Sequence, residues 1–331
     1  MRRRSAADSD DDSLLSACSS SSSSTDEDDI NCRMAPNWCA YRQLIEKRGF
    51  RLDTCRDVKQ WYQHYWEMMS SQGQHVSRDL PGYTRACSID DENDLCKDAG
   101  LPENLFRGSR SLDGKKVVIK AVHLRSHEYH VVKYMSHPQL RRDPRNHLIP
   151  IFDLIEVPID QIAFIVMEEW SPQLITETPC TLRLFLGCLR QCIEHVVFMH
   201  SHNIAHLDIS IRNLLTDYNS HYSYIDFELS RRFDKHPNPR ISTRRGTELP
   251  PELERGESTD PYKVDIWALA MLIIRACSMS GYNIPELSPL LKAMLNESFE
   301  RRPPAYYVLN TFDSIAQGIS EGRLQRSPPK P

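Results

Sequence analysis

The run His206-Leu207-Asp208-Ile209-Ser210-Ile211-Arg212-Asn213 places a carboxylate and an amide five residues apart, with apolar Leu214 and Leu215 behind them. Asp208 can accept or orient the proton of a hydroxyl, and Asn213 can offer an amide oxygen to a divalent cation. Thirteen residues beyond Asn213, Tyr224-Ile225-Asp226-Phe227-Glu228 reads as an apolar strand ending in a second candidate metal ligand, Asp226. Upstream, Val117-Val118-Ile119-Lys120 sets one lysine among apolar strand neighbours, and Glu128 falls on the following helix, whose inward face is Val131, Val132 and Met135. An ion pair between Lys120 and Glu128 would aim the ammonium. A cation for phosphates, oxygens for magnesium and a carboxylate beside an attacking hydroxyl are what phosphoryl transfer from ATP requires. Each piece alone has a plainer reading: a strand lysine is usually solvated and cheap to replace, and a helix glutamate usually lies at the surface. The ordered conjunction is the signal.

The elements that must position these groups follow from periodicity. Lys116 to Val122 is strand-like, a helix runs from about His127 to Ser136 and stops at His137-Pro138, and strands lie near Ile149 to Val157 and Ile162 to Met167. Helices then dominate to residue 318, which predicts an α+β chain with a small strand-rich part before a larger helical part. Leu184 to Met199 and Ile266 to Met279 are apolar, but too short or too polar to span a bilayer, and read as buried helices. Before residue 100 the pattern is helical: Tyr41, Leu44 and Ile45 share a face, and Thr54 with Asp57 can cap a helix through Trp61, Tyr62, Tyr65 and Trp66. The expected organisation is a disordered acidic, serine-rich tail over 1–35, a helical accessory extension over 36–99 packed on the main domain, that domain over 100–318, and a flexible tail over 319–331.

Composition narrows the class. At 331 residues and 40% apolar, the chain can bury a large core. The net charge of -4 arises near the start, where residues 1–30 hold eight acids against three arginines. The near-neutral remainder lacks the dense basic field that nucleic-acid binding needs, so no nucleic-acid partner is expected. Ten cysteines without C-x-x-C spacing argue against a zinc site. With no secretory signal in view, an intracellular location is expected, cytoplasmic or nuclear, with no membrane association.

At these residues the sequence resembles the eukaryotic protein kinase family, over roughly residues 100 to 318. The resemblance implies a bilobal fold, an N-lobe of strands and a helical C-lobe, with ATP and magnesium between them. It makes Lys120 the phosphate anchor, Glu128 its partner, Asp208 the catalytic base, and Asn213 and Asp226 the metal ligands. Met167 becomes the residue guarding the back of the adenine pocket, Glu168, Glu169 and Trp170 the hinge that meets the adenine, and Val118 its ceiling. Gly246 to Glu252 resembles the end of an activation segment, with Glu252 paired to Arg302, and Val264 to Ala270 the helix that supports the catalytic loop. The long extension and the wording Ile-Ala-His-Leu-Asp-Ile-Ser resemble kinase-like proteins of basidiomycete fungi.

Departures from the family pattern bear on turnover. Gly100 falls where the middle glycine of the phosphate loop belongs, but Asp98 and Glu103 stand where its outer glycines would be and repel phosphate. Val118 replaces a smaller alanine, Glu228 replaces a hinge glycine, and Leu207 replaces an arginine that gathers a phosphorylated loop. Ser210 stands where Ser/Thr kinases carry lysine and Arg212 where tyrosine kinases carry arginine, which leaves the acceptor type open. The basic run 231–245 either engages acidic substrates or is a solvated loop. Three functions remain: an active protein kinase on an unidentified protein substrate, a pseudokinase acting as a nucleotide-binding or scaffolding module, and a small-molecule kinase similar to choline or aminoglycoside kinases.

Overall fold

The computed structural model describes residues 34–71, 73, 76–98, 100–171, 181–217, 219–234 and 236–327. The expected acidic tail therefore lies, except for Met34 and Ala35, outside the described residues. Helix α1 (Trp38–Lys47) leads at once into strand β1 (Phe50–Leu52), then helices α2 (Cys55–Ser71) and α3 (Pro81–Ser88). Strands β2 (Leu105–Arg110) and β3 (Lys116–His123), helix α4 (His127–Met135), and strands β4 (Ile151–Val157) and β5 (Ile162–Glu168) complete the first half. The five strands form one antiparallel sheet in the order β1-β2-β3-β5-β4.

Alternation along β3 gives the sheet its two faces. Val117, Ile119 and Ala121 point to one side, where Trp38 and Ile45 of α1, Phe50, Leu52, Phe106, Phe164 and Val166 complete a core. Trp38 contacts Phe106 and Phe164 with ring centroids 5.2 and 5.6 Å apart. Val118 and Lys120 point to the other side, toward the second half of the molecule. Ser126 caps α4 by accepting a hydrogen bond from the Tyr129 N–H, and α4 buries Glu128, Val131, Val132 and Met135 as its pattern predicts.

The accessory segment is corrected here. Residues 36–99 are not purely helical and do not stand outside the main domain: β1 is an edge strand of the main sheet, pairing Phe50 to Leu52 with Arg110 to Gly108. A domain boundary at residue 100 therefore cuts one sheet in two. Residues 53–104 are an insert between two neighbouring strands, with a small core of Cys55, Ala86 and Cys96. Asp57 accepts from the N–H and hydroxyl of Thr54 and from both terminal nitrogens of Arg51, locking the start of α2 to β1. Gly108 is required at this junction, since a Cβ there would stand 2.4 Å from the Arg51 carbonyl oxygen.

The second half is helical. Helix α5 (Leu182–Ser201) is followed by the short strands β6 (Ile204–Ala205), β7 (Leu214–Thr216), β8 (Tyr222–Tyr224) and β9 (Arg231–Arg232), which pair β6 with β9 and β7 with β8. Helices α6 (Pro251–Glu254), α7 (Pro261–Ser280), α8 (Ser288–Met294), α9 (Ala305–Gly318) and α10 (Glu321–Leu324) follow. Both expected apolar helices are buried, α5 capped by Thr181 and α7 by Asp260. Residues 319–327, expected as flexible, are instead fixed: the Leu182 N–H donates to the Arg326 carbonyl, and Arg183 and Arg323 pair with Glu321 and Glu286. Satisfying the N-terminal N–H of α5 gives this segment a defined place. Among the described residues no helix is long and apolar enough to cross a membrane.

Candidate active site

Between the sheet and the helical half lies a cavity of about 580 Å³. Val118, Ile165 and Met167 come down from the sheet, Leu215 and Ile225 rise from below, and Glu168, Glu169 and Trp170 close one side. The Trp170 N–H has no hydrogen-bond partner among the described residues, whereas the Glu169 N–H donates to the Lys116 carbonyl at 3.0 Å.

Lys120 reaches into this cavity and joins two elements. Its Nζ lies 2.7 Å from Glu128 Oε1 on α4 and 3.0 Å from Asp226 Oδ1 beyond β8. The lysine is not solvated as its strand position alone suggests: its side chain is 12% exposed and that of Glu128 is 3%. Burial by itself lowers the Lys120 pKa, but the Glu128 and Asp226 carboxylates outweigh it and hold the ammonium charged well above its ordinary range. Burial likewise pushes Asp226 up, and the charge and hydrogen bond of Lys120 reverse this, leaving the carboxyl below its ordinary value.

The catalytic-loop candidates meet a few residues away. Asn213 Nδ2 donates to both the backbone oxygen and Oδ2 of Asp208, at 2.9 and 2.8 Å, while Asp208 Oδ1 accepts from the Thr247 N–H at 2.6 Å. Asp208 thus faces a second hollow of about 280 Å³ shared with Asp226, Glu228, Arg245 and Gly246. The backbone here is forced. Leu207 and Asp226 hold φ of 66° and 64°, a left-handed conformation unfavourable for either side chain. Asp265 of α7 stabilises the first, its two oxygens accepting the His206 and Leu207 N–H groups at 2.8 Å each and His200 Nε2 lying 2.9 Å away. Phe227 anchors the second by packing on His206, ring centroids 5.1 Å apart. Burial drives the His206 imidazole below its usual pKa, so it is neutral, and its Nδ1 accepts from the Asp208 N–H.

Gly246 makes the approach of the later segment possible. Its φ is 118°, and a Cβ would sit 2.8 Å from the Leu207 carbonyl oxygen. Beyond it, Glu252 and Arg302 form the expected pair, two bonds of 2.7 Å between side chains at most 1% exposed.

The structure brings Lys120, Glu128, Val118, Met167, Glu168, Glu169, Arg212 and Asp226 to one cavity, while Asp208, bonded by Asn213, lines the second hollow, which shares Asp226 and Glu228 with the first. It leaves Gly100 out. The insert separates β1 from β2, so no short hairpin overhangs the cavity, and the neighbours Leu101 to Asn104 line it instead. Sequence reading missed Met34 and Arg107, which also face the cavity. A polar residue at an alternating position of Leu-Phe-Arg-Gly-Ser-Arg was the available signal for Arg107.

Comparison with known proteins points to a family of the same fold. A model of the protein kinase domain matches residues 105–286, just over half the chain. A protein named serine/threonine-protein kinase SIK3 homolog, from Danio rerio, is 24% identical over 178 residues, 52% of this chain and 14% of its own length. Serine/threonine-protein kinase PLK4 of Drosophila virilis is 33% identical over 97 residues, 29% of this chain and 12% of that protein.

Proposed function

Because this chain belongs to the protein kinase family, we propose that it is an ATP- and magnesium-dependent protein kinase that transfers the γ-phosphoryl group to a protein hydroxyl. The observation that carries the reading is the chain of charges from Glu128 through Lys120 to Asp226, next to an Asp208 oriented by Asn213. Val118 above and Leu215 below would hold the adenine, whose edge the Trp170 N–H can meet. Lys120, held charged and aimed by Glu128, would engage the α- and β-phosphates.

The residues fit a divalent cation. Among the described residues no cluster of three or more His, Cys, Asp or Glu could hold a metal by itself. Asp226 and Asn213 offer one carboxylate and one amide oxygen, the sparse hard-oxygen set that suits magnesium when substrate phosphates complete its shell. Magnesium so bound would neutralise charge on the β- and γ-phosphates. Asp208, fixed by Asn213 and the Thr247 N–H, would accept the proton of the attacking hydroxyl. Arg212, exposed at the cavity mouth with no ion pair among the described residues, is a free cation for the transferring phosphate or the acceptor. Both relatives carry serine/threonine specificity in their names, so those acceptors are the first to test. A cytoplasmic or nuclear site of action goes with this reading.

A second reading, a nucleotide-binding or scaffolding module without turnover, draws on one observation: the insert stands where a flexible phosphate loop would be. A small-molecule kinase is disfavoured by the buried Glu252–Arg302 pair that fastens the later segment. The deciding experiment measures magnesium-dependent ATP binding and phosphate transfer to the protein itself, to mixed peptides and to small alcohols. The wild type is expected to phosphorylate peptide, and Asp208→Ala to lose at least about 100-fold in rate while still binding ATP. ATP binding without transfer by the wild type favours the scaffold.

A further inference from the structure

Arg107 is the cation that the phosphoryl-transfer reading does not use. It lies on β2 opposite Val118 of β3, which lies opposite Met167 of β5. Directly opposed residues share a face of a sheet, so Arg107 belongs to the cavity's ceiling. From there its Nε reaches 2.7 Å to Glu169 Oε1 on the hinge, and its Nη1 pairs with Asp98 of the insert. The side chain thus runs beside Val118, across the part of the ceiling under which an adenine ring would slide.

A place exists for Arg107 to move into. A second cavity of about 280 Å³ lies on the insert side, lined by Asp53, Trp61, Tyr62, Asp98 and Lys116. It shares Arg107 and Glu169 with the nucleotide cavity, so that ion pair forms part of the wall between the two. The side chamber offers an arginine the rings of Trp61 and Tyr62 beside the Asp98 carboxylate it already holds, while Asp53 is taken by Lys116. All three partners of the present arrangement are partly exposed, Arg107 at 42%, Asp98 at 35% and Glu169 at 27%. Such pairs are weak enough to exchange.

We propose that Arg107 is a latch on the nucleotide cleft, closed while it bonds both Glu169 and Asp98 and open when it releases Glu169 and turns into the side chamber on Asp98 alone, so that the insert sets ATP affinity. The proposal rests on the kinase reading of the cavity. In the closed position Glu169 is tied and the ceiling beside Val118 is covered. Opening breaks the bond to Glu169, keeps the one to Asp98 and clears the ceiling.

The test is titration calorimetry of the full chain with magnesium and a non-hydrolysable ATP analogue, on the wild type, Arg107→Val and Glu169→Gln. Arg107→Val removes the contact and Glu169→Gln removes its charge, and thermal melting checks that each variant is folded. Both variants are expected to bind about tenfold more tightly than the wild type. Unchanged or weaker binding by both folded variants overturns the latch and leaves the kinase reading standing. Failure of all three proteins to bind overturns the latch and the kinase reading together. Tighter binding by Glu169→Gln alone supports the latch if Arg107→Val does not fold, because Gln keeps the shape of the hinge.

Discussion

The floor and the roof of the cleft are held by opposite means. Below, Glu252 and Arg302 pair at no more than 1% exposure, and the equally buried Asp265 carboxylate holds a left-handed Leu207 in place. Above, the insert meets the sheet through Arg107, Asp98, Glu169, Lys116 and Asp53, most of them partly open to solvent. Breaking a buried pair strands a charge where water cannot reach it, whereas breaking an exposed one returns both partners to water. The floor therefore loses more than the roof when one of its pairs is broken.

This contrast can be broken by experiment. Replacing Glu252 with Gln leaves the Arg302 guanidinium buried without a counter-charge, and should lower stability by about 3–5 kcal/mol in denaturant titration. A loss under about 1 kcal/mol would mean the floor is no firmer than the roof. Gly246→Ala should cost less, about 1–3 kcal/mol, because it forces an alanine into φ of 118° and against the Leu207 carbonyl. Its transfer rate should fall further than its stability, since Thr247 next door orients Asp208.

The smallest effect belongs to the roof and depends on pH. Burial tends to raise the Asp57 carboxyl, but hydrogen bonds from Arg51 and Thr54 outweigh it and hold the group at about 2, below the ordinary 3.8. A lowered pKa means stabilisation that is complete above the ordinary value and lost as pH falls through the folded one. Fluorescence of Trp61 and Trp66 on α2 should report loosening of the insert between about pH 4 and 2, worth about 1 kcal/mol because the partner Arg51 is 44% exposed. Asp57→Asn should remove that pH dependence.

The two regions also differ in how far they could be read from residues. His206 to Asn213 is contiguous, its chemistry lies in side-chain type and spacing, and the strand-then-helix order is enough to bring Lys120 to Glu128. The roof depends on facts that local pattern does not carry. Strand β1 is three residues long, too short for alternation to stand out between two helices. Its partner lies beyond the whole insert, so the place expected for the middle glycine of the phosphate loop falls on Gly100, which the structure leaves outside the cavity. Helix α10 is a single turn whose place is set by contacts with α5 rather than by an apolar stripe. The burial of Lys120 came likewise from α4 and Asp226 closing over it, which makes it a costlier residue to replace than its strand position implies.

The pairing of Phe50 to Leu52 with Gly108 to Arg110 also has a kinetic meaning. A hairpin of a few residues closes cheaply, but here the two strands are joined through roughly fifty residues, which adds about 2 kcal/mol of chain-closure entropy if that stretch is unstructured. Helices α2 and α3 shorten the effective loop once formed. Folding of the insert should therefore come before closure of the sheet edge, so that the segment which ends as the roof begins as the splint on which the first strand is set.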